Sequence, residues 1–434
     1  MKKILSFALI AAMLLTLSVG CGKTTDTTST DAGTKTTAEN TTKQEPAKKD
    51  VTIKMYQLKV EIKDQLDKMA KDYEKETGVK FEIETAGGGV NYQAMLQTRF
   101  ASGEEPDIFN CNGYADLDKL IDKCEDLTNE AWAKDLVAGV AEPMMKDGKL
   151  YGQPQCIEGY GFAYNKDLFA KAGVTGVPKT LAQLEDACKK LQAAGITPFS
   201  NGYKEFWVLG KHNINAALAN QAEPRKFVEG LNAGTEKLKG NAIAEGWVKL
   251  FDLTKKYGQK NMITADYNTS VNDFATGKAA MIQQGNWIWG NIEKVNNKLN
   301  VGFLPMPVSD QEVEKVFVGM PQAWSINKNS KVKDEAKAWL NWLVTSDTGK
   351  KYITDEFQFI PAFTTIQSTK LNPLSASLSE YAKDSKTLGW FFDLLPSGTD
   401  VDIAAAMQAY LADKANGEQM LEQIEKAITA KAKK

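Results

Sequence analysis

The stretch GKAAMIQQGNWIWGNIE, residues 277–293, places two indoles, Trp287 and Trp289, beside Gly285, Asn286 and Gly290. An indole offers a large, stiff apolar face with one N–H donor. An amide both donates and accepts, and glycine lets backbone come close to a ligand. Together these groups suit a molecule with apolar C–H faces and a rim of hydroxyls, which is the surface of a pyranose. The competing use of an indole is core packing. That is the expected use for Trp289 and for Trp132, Trp247, Trp339 and Trp342, the last four of which sit in helical patterns.

Other chemistry is scarce. The chain has one histidine, His212, in LGKHNINAAL, with no cysteine or acidic neighbour. A His-based zinc site needs more imidazoles, and a Ser-His-Asp relay would have to use this one. His212 therefore reads as structural or surface, and no metal or other cofactor is expected. The 434 residues carry 53 basic and 55 acidic side chains. Removing residues 1–20, with Lys2 and Lys3, leaves 51 against 55, a net charge of −4. No basic excess remains to neutralise nucleic-acid phosphates or to bind an anionic membrane surface.

MKKILSFALIAAMLLTLSVGCGK has a basic start and an apolar run, Ile4 to Leu17, too short to span a bilayer comfortably. It resembles a bacterial lipoprotein signal over 1–20, with Ser18 where leucine is usual, and the resemblance makes Cys21 the lipidated residue. Residues 21–50 are rich in Thr and charge and lack aromatics, the composition of a disordered linker. Of the other cysteines, Cys124 and Cys188 lie on apolar helical faces and read as buried thiols. Cys111 and Cys156 lie in or just after strands, and sequence leaves any disulfide pairing among the four open.

The body from Val51 alternates strand and helix. VTIKMY and VKFEIE alternate in period two, and Ile62, Leu66, Met69, Ala70 and Tyr73 mark a helical face between them, stopped by Gly78. A second helix is expected over 92–102, followed by the short strand of PDIFNCNG. Thr180 and Gln183 have capping-box spacing at the start of another helix. This βαβ opening predicts an α/β fold, and at this length two lobes. In open α/β sheets ligands bind beyond the carboxyl ends of strands, which singles out NCNGYAD, QCIEGY and GNWIW.

Three segments, YQAMLQTRFASGEEPDIF, YNKDLFAKAGV followed by PKTLAQLEDACKKL, and FATGKAAMIQQGNWIW, resemble the extracellular solute-binding proteins of sugar ABC transporters, the maltose-binding-protein-like family. The resemblance covers about 51–430. It implies a type II fold of two lobes, each a sheet flanked by helices, with the ligand cleft between them. The first lobe would take 51–157 and 303–359, the second 158–302 and 360–434. It implies no catalytic residues, capture of a sugar or oligosaccharide by hinge closure, and delivery to permease subunits of the transporter. The protein would be a monomer, held by its lipid, as a palmitate-bearing lipoprotein, on the extracellular or periplasmic face of the cell membrane. By the same resemblance Trp287 is the stacking aromatic and Glu158 faces sugar hydroxyls. Asn110 and Asn112 give first-lobe polar contacts, and Phe206 and Trp207 a second aromatic wall. FVGMPQAWSIN departs from the family's small-residue run, so Gln322 and Trp324 are expected to fill space there. Asp400, ahead of the closing helix, and Asn286 complete the candidate set.

Two alternatives stay open in the residues themselves. A secreted glycoside-active enzyme needs a pair of carboxyls at a defined separation, which sequence does not give. A binding protein for a peptide or an oxyanion would need other cleft chemistry, and the cleft motifs here are aromatic, amide and acidic.

Overall fold

The structure, a computed structural model, describes residues 50–433. The proposed signal, Cys21 and all but the end of the linker lie outside the described residues. No helix among the described residues is long and apolar enough to cross a membrane.

The fold has two α/β lobes, each with its own sheet and core. In the first sheet, Thr52–Gln57 is flanked by Lys80–Thr85 and Ile108–Cys111, both parallel to it. Ala323–Ile326 then pairs antiparallel with Ile108–Cys111, and Gln153–Pro154 pairs antiparallel on its far side. The helix Lys63–Thr77 joins the first two strands, its buried Leu66, Met69, Ala70 and Tyr73 forming the expected face. Gly78 closes it in the left-handed conformation, φ 77°. Tyr92–Ser102 is helical, capped by the Asn91 side chain, which accepts from Ala94 N at 3.1 Å.

The second sheet is built on Glu158–Asn165 and Ala279–Gly285, which pair antiparallel. Both are buried almost throughout, as expected of strands covered by helices on both faces. Val301–Leu304 and Val316–Gly319 follow one another along the free side of Glu158–Asn165. Thr197–Phe199 runs parallel to Ala279–Gly285 on the opposite edge. This corrects the expected return at residue 303. The apolar strands Val301–Leu304 and Val316–Gly319 complete the second sheet, and the chain re-enters the first only at Ala323.

The three crossings lie side by side. Gln155 N donates to Gln322 O at 3.1 Å, and Ile157 N donates to Ile360 O at 2.9 Å. The capping-box expectation at Thr180 is met in modified form. Thr180 Oγ1 accepts from Gln183 N at 3.1 Å, but Gln183 Oε1 accepts from Lys179 N at 2.8 Å, one residue early. Cys111, Cys124, Cys156 and Cys188 are all buried free thiols.

Candidate functional site

Between the lobes lies a cleft enclosing about 1310 Å³, part of it open to solvent. The first lobe contributes residues 58–61, the glycine loop 87–89 and the turn carrying Asn112 and Asp116. The second contributes Glu158, Phe206, Trp207, Lys211, His212, Tyr267, Trp287 and the segment from Trp390 to Asp400. In this structure the lobes touch. Arg225 is ion-paired to Glu142 across the cleft, and Lys119 Nζ donates to Ser397 O at 3.0 Å.

The strand Ala279–Gly285 explains where Trp287 points. It ends at Gly285, and residues 286–288 form a single 3₁₀ turn before the helix Trp289–Asn296. The Asn286 side chain pins that turn. Its Oδ1 accepts from Gly159 N at 3.0 Å and its Nδ2 donates to Ser375 Oγ at 3.1 Å. The turn sends Ile288 and Trp289 into the core and leaves Trp287 half-buried on the cleft wall. The indole lies against Gly285, where a Cβ would stand 2.0 Å from Trp287 Cζ3, so only glycine fits there. Its Nε1 donates to Gln284 Oε1 at 2.8 Å.

Around Trp287 stands an aromatic wall. His212 lies 5.1 Å from it and Trp390 6.5 Å, the latter edge-on at 87°. Trp207 meets His212 edge-on at 5.3 Å. Trp207 leads into a π-helical turn, Val208–Asn213. Such wide turns are frequent at functional sites, and this one carries Lys211 and His212 to the cleft. Gly210 lets the helix Thr399–Leu411 approach, since a Cβ there would sit 1.9 Å from Asp400 O. Burial is the main cause of the depressed His212 imidazole, lowered to about 3, and the nearby Lys211 and Lys59 add to it. The ring is therefore neutral at physiological pH.

Two ion pairs sit in the cleft, one buried and one partly buried. Lys59 pairs with Glu158 near the crossings, the two side chains 5% and 4% exposed. Burial raises the Glu158 carboxyl above the usual carboxylate range, and Lys59 only partly opposes this. For Lys59 burial alone would lower the ammonium, but the Glu158 charge overrides it and keeps the amine protonated. Lys211 pairs with Asp393 at 3.1 Å. Burial lifts Asp393 to about 6 against the pull of Lys211, with Asp116 pushing further upward. Asp400 is raised too, first by burial. Among the described residues no group of three or more His, Cys, Asp or Glu is placed to hold a metal ion.

Of the residues expected at the site, Trp287, Glu158, Trp207, Phe206, Asn112, Gln322 and Asp400 line the cleft. Three do not, and for each the reason is packing or an internal hydrogen bond. Trp324 is 1% exposed and packs on Trp339 at 5.1 Å in the first-lobe core. Asn110 is fully buried, and its Oδ1 accepts from Leu58 N at 2.8 Å, bracing the loop that presents Lys59. Asn286 is spent on the turn described above. Conversely, Lys59, Glu61, Asp116, Tyr267, Lys211, His212, Trp390 and Asp393 line the cleft without having been candidates. The Glu158 and Lys211 partners lie 99 and 182 residues from them in sequence, so no local signal marks these pairs. Three polar atoms on the wall find no partner among the described residues: His212 Nδ1, Gln322 Oε1 and Trp390 Nε1.

Comparison with known proteins agrees with this architecture. The model of the family described as bacterial extracellular solute-binding protein matches residues 59–350. The multiple sugar-binding protein of Streptococcus mutans is 27% identical, covering 72% of this chain and 76% of that protein. The maltooligosaccharide ABC transporter solute-binding lipoprotein of a serotype 4 Streptococcus pneumoniae is 26% identical over 84% of this chain and 81% of its own. The solved structure of the solute-binding protein RafE in complex with raffinose superposes with a TM-score of 0.76 at 25% identity, covering 88% of this chain and all of that one. With two lobes, crossings that lie side by side and a cleft between them, this chain belongs to the bacterial extracellular solute-binding proteins.

Proposed function

We propose that this protein captures a sugar or oligosaccharide in the cleft between its lobes and passes it unaltered to the permease subunits of an ABC transporter. The observation that carries this reading is the make-up of the wall, where Trp207, Trp287 and Trp390 stand beside carboxylates and amides. Indole faces suit the C–H faces of a pyranose. Hydroxyls both donate and accept, so they suit Glu158 and Asp400, the amides of Asn112 and Gln322, and the unpartnered Trp390 N–H. Relatives named for multiple sugars and maltooligosaccharides, and a similar structure holding raffinose, support the class. In this reading Asn110, Asn286 and Trp324 support the site from behind.

The lobes act as jaws hinged at the crossings near Ile157, between Gly319 and Ala323, and near Ile360. Ligand favours closure by its differential affinity for the closed form. The N-terminal leader delivers the chain outside the cell, and lipid on Cys21 tethers a monomer to the membrane through the linker. A thermal-shift screen against mono- and oligosaccharides, followed by calorimetric titration of each hit, tests the reading. The expected result is 1:1 binding with the sugar recovered intact by chromatography. Turnover of the sugar, or no saccharide bound at all, refutes it.

A further inference from the structure

Resting on that reading, the cleft's charges can be taken one step further, to the kind of sugar it accepts. Seven charged side chains line it: Glu61, Asp116, Glu158, Asp393 and Asp400 against Lys59 and Lys211. Both ammonium groups are already committed, Lys59 to Glu158 and Lys211 to Asp393. Among the described residues the remaining three carboxylates make no ion pair, although the Lys211 charge draws Asp400 downward. Asp116 Oδ2 accepts only from neutral amides, Asn112 Nδ2 at 2.6 Å and Gln93 Nε2 at 3.1 Å. Glu61 faces the Tyr267 hydroxyl and also the Lys59 charge, which it helps keep protonated. Asp116 comes from the first lobe and Asp400 from the second, so closure brings like charges toward each other across the bound molecule. Asp116 pushes Asp393 and Asp400 upward, though Lys211 pulls both down more strongly.

We infer that the cleft sorts sugars by charge, accepting neutral ones and refusing those that carry a carboxylate, sulfate or phosphate, and that Glu61, Asp116 and Asp400 set the refusal. An entering anion finds no uncommitted ammonium to pair with. To gain one it must break the Lys59–Glu158 or Lys211–Asp393 pair and leave a buried carboxylate bare, which is strongly unfavourable. The lining also carries five carboxyl groups against two ammonium groups, so the anion enters a net negative field. At partly exposed sites such a repulsion is worth on the order of tenfold in affinity. Neutral hydroxyls pay no such penalty, because they donate to the same carboxylates.

The test uses the full chain and neutral gluco- and galacto-oligosaccharides. For each one bound, two analogues are compared, with one C6 alcohol replaced by a carboxylate and with the same C6 replaced by a carboxamide. The amide has the size and shape of the acid without its charge. The expected result is an amide that binds within about threefold of the parent and an acid on the order of tenfold weaker or worse. The acid–amide gap should narrow with added salt, because partly exposed charges are screened. It should narrow also in Asp116→Asn and Asp400→Asn, each checked for an unchanged melting transition. An acid bound as tightly as its amide overturns the inference. So does equal rejection of both, which would make the filter steric, or a gap insensitive to both salt and substitution. Failure of every neutral saccharide to bind a cooperatively melting protein is a different outcome and overturns the sugar reading itself.

Discussion

Replacing Trp287 by alanine separates the two uses of an indole. The ring is half-buried, one face against Gly285 and its edge near His212 at 5.1 Å and Trp390 at 6.5 Å, with the rest on the cleft. A fully buried aromatic truncated to alanine costs about 3–5 kcal/mol of folding stability. A half-buried one at the end of a strand should cost about half of that, and the buried Gln284 loses its indole donor as well. A sugar held at micromolar affinity has about 8 kcal/mol in total. Loss of a central aromatic contact removes about 2 kcal/mol of it, so affinity should fall roughly thirtyfold. Trp324→Ala is the matched control, since that indole is sealed in the first-lobe core against Trp339. It should lower the melting temperature more than Trp287→Ala does, while the folded fraction binds sugar with near-normal affinity. Calorimetric titration and thermal melting of the two variants decide the matter. A Trp287→Ala protein that melts far lower yet binds normally would refute the stacking role.

Three further outcomes follow from the buried charges and the leader. The folded-state pKa of His212 is depressed from 6.5 to about 3, so its neutral form stabilises the fold fully above pH 6.5. That stability is lost as pH falls, at about 1.4 kcal/mol per unit, or about 2 kcal/mol between pH 6.5 and 5. His212→Phe should therefore lose less stability than the parent over that window in urea titrations. An equal loss in both proteins would remove His212 from the account. Asp393, raised to about 6, has the opposite sign and is common to both proteins, so the difference isolates the imidazole. Lys59→Met leaves the Glu158 carboxylate buried without its partner and should cost about 3–5 kcal/mol. Adding Glu158→Leu should restore much of it, and no recovery in the double variant would argue against the pair. Cys21→Ser should release the protein from membranes in fractionation, and retention after signal cleavage would point to another anchor.

What the chain reveals before folding is what local periodicity sets. The helix at 92–102 was legible from the Asn91 and Gly103 that bound it, and the strands around Thr52 and Lys80 from the alternation of apolar residues in VTIKMY and VKFEIE. The return of the chain to the first lobe was misplaced. Val301–Leu304 is as apolar as a strand of either sheet, and only its partner, 162–165, assigns it. The π-helical turn Val208–Asn213 has no sequence period at all. Site residues divide along the same line. Asn286 has the chemistry of a ligand contact, but its two partners are 127 and 89 residues away, and they consume both ends of its amide. Trp324 sits on a strand buried throughout, and only its distant neighbour Trp339 shows that its indole is core. Lys211 and Asp393 lie 182 residues apart and carry no local signal of the pair that the fold makes in the cleft. Trp287 was legible because its cause is local. The glycine that gives its ring room is two residues back and the amide that anchors its N–H is three back, so five or so residues carry the whole instruction to leave the strand and face the cleft.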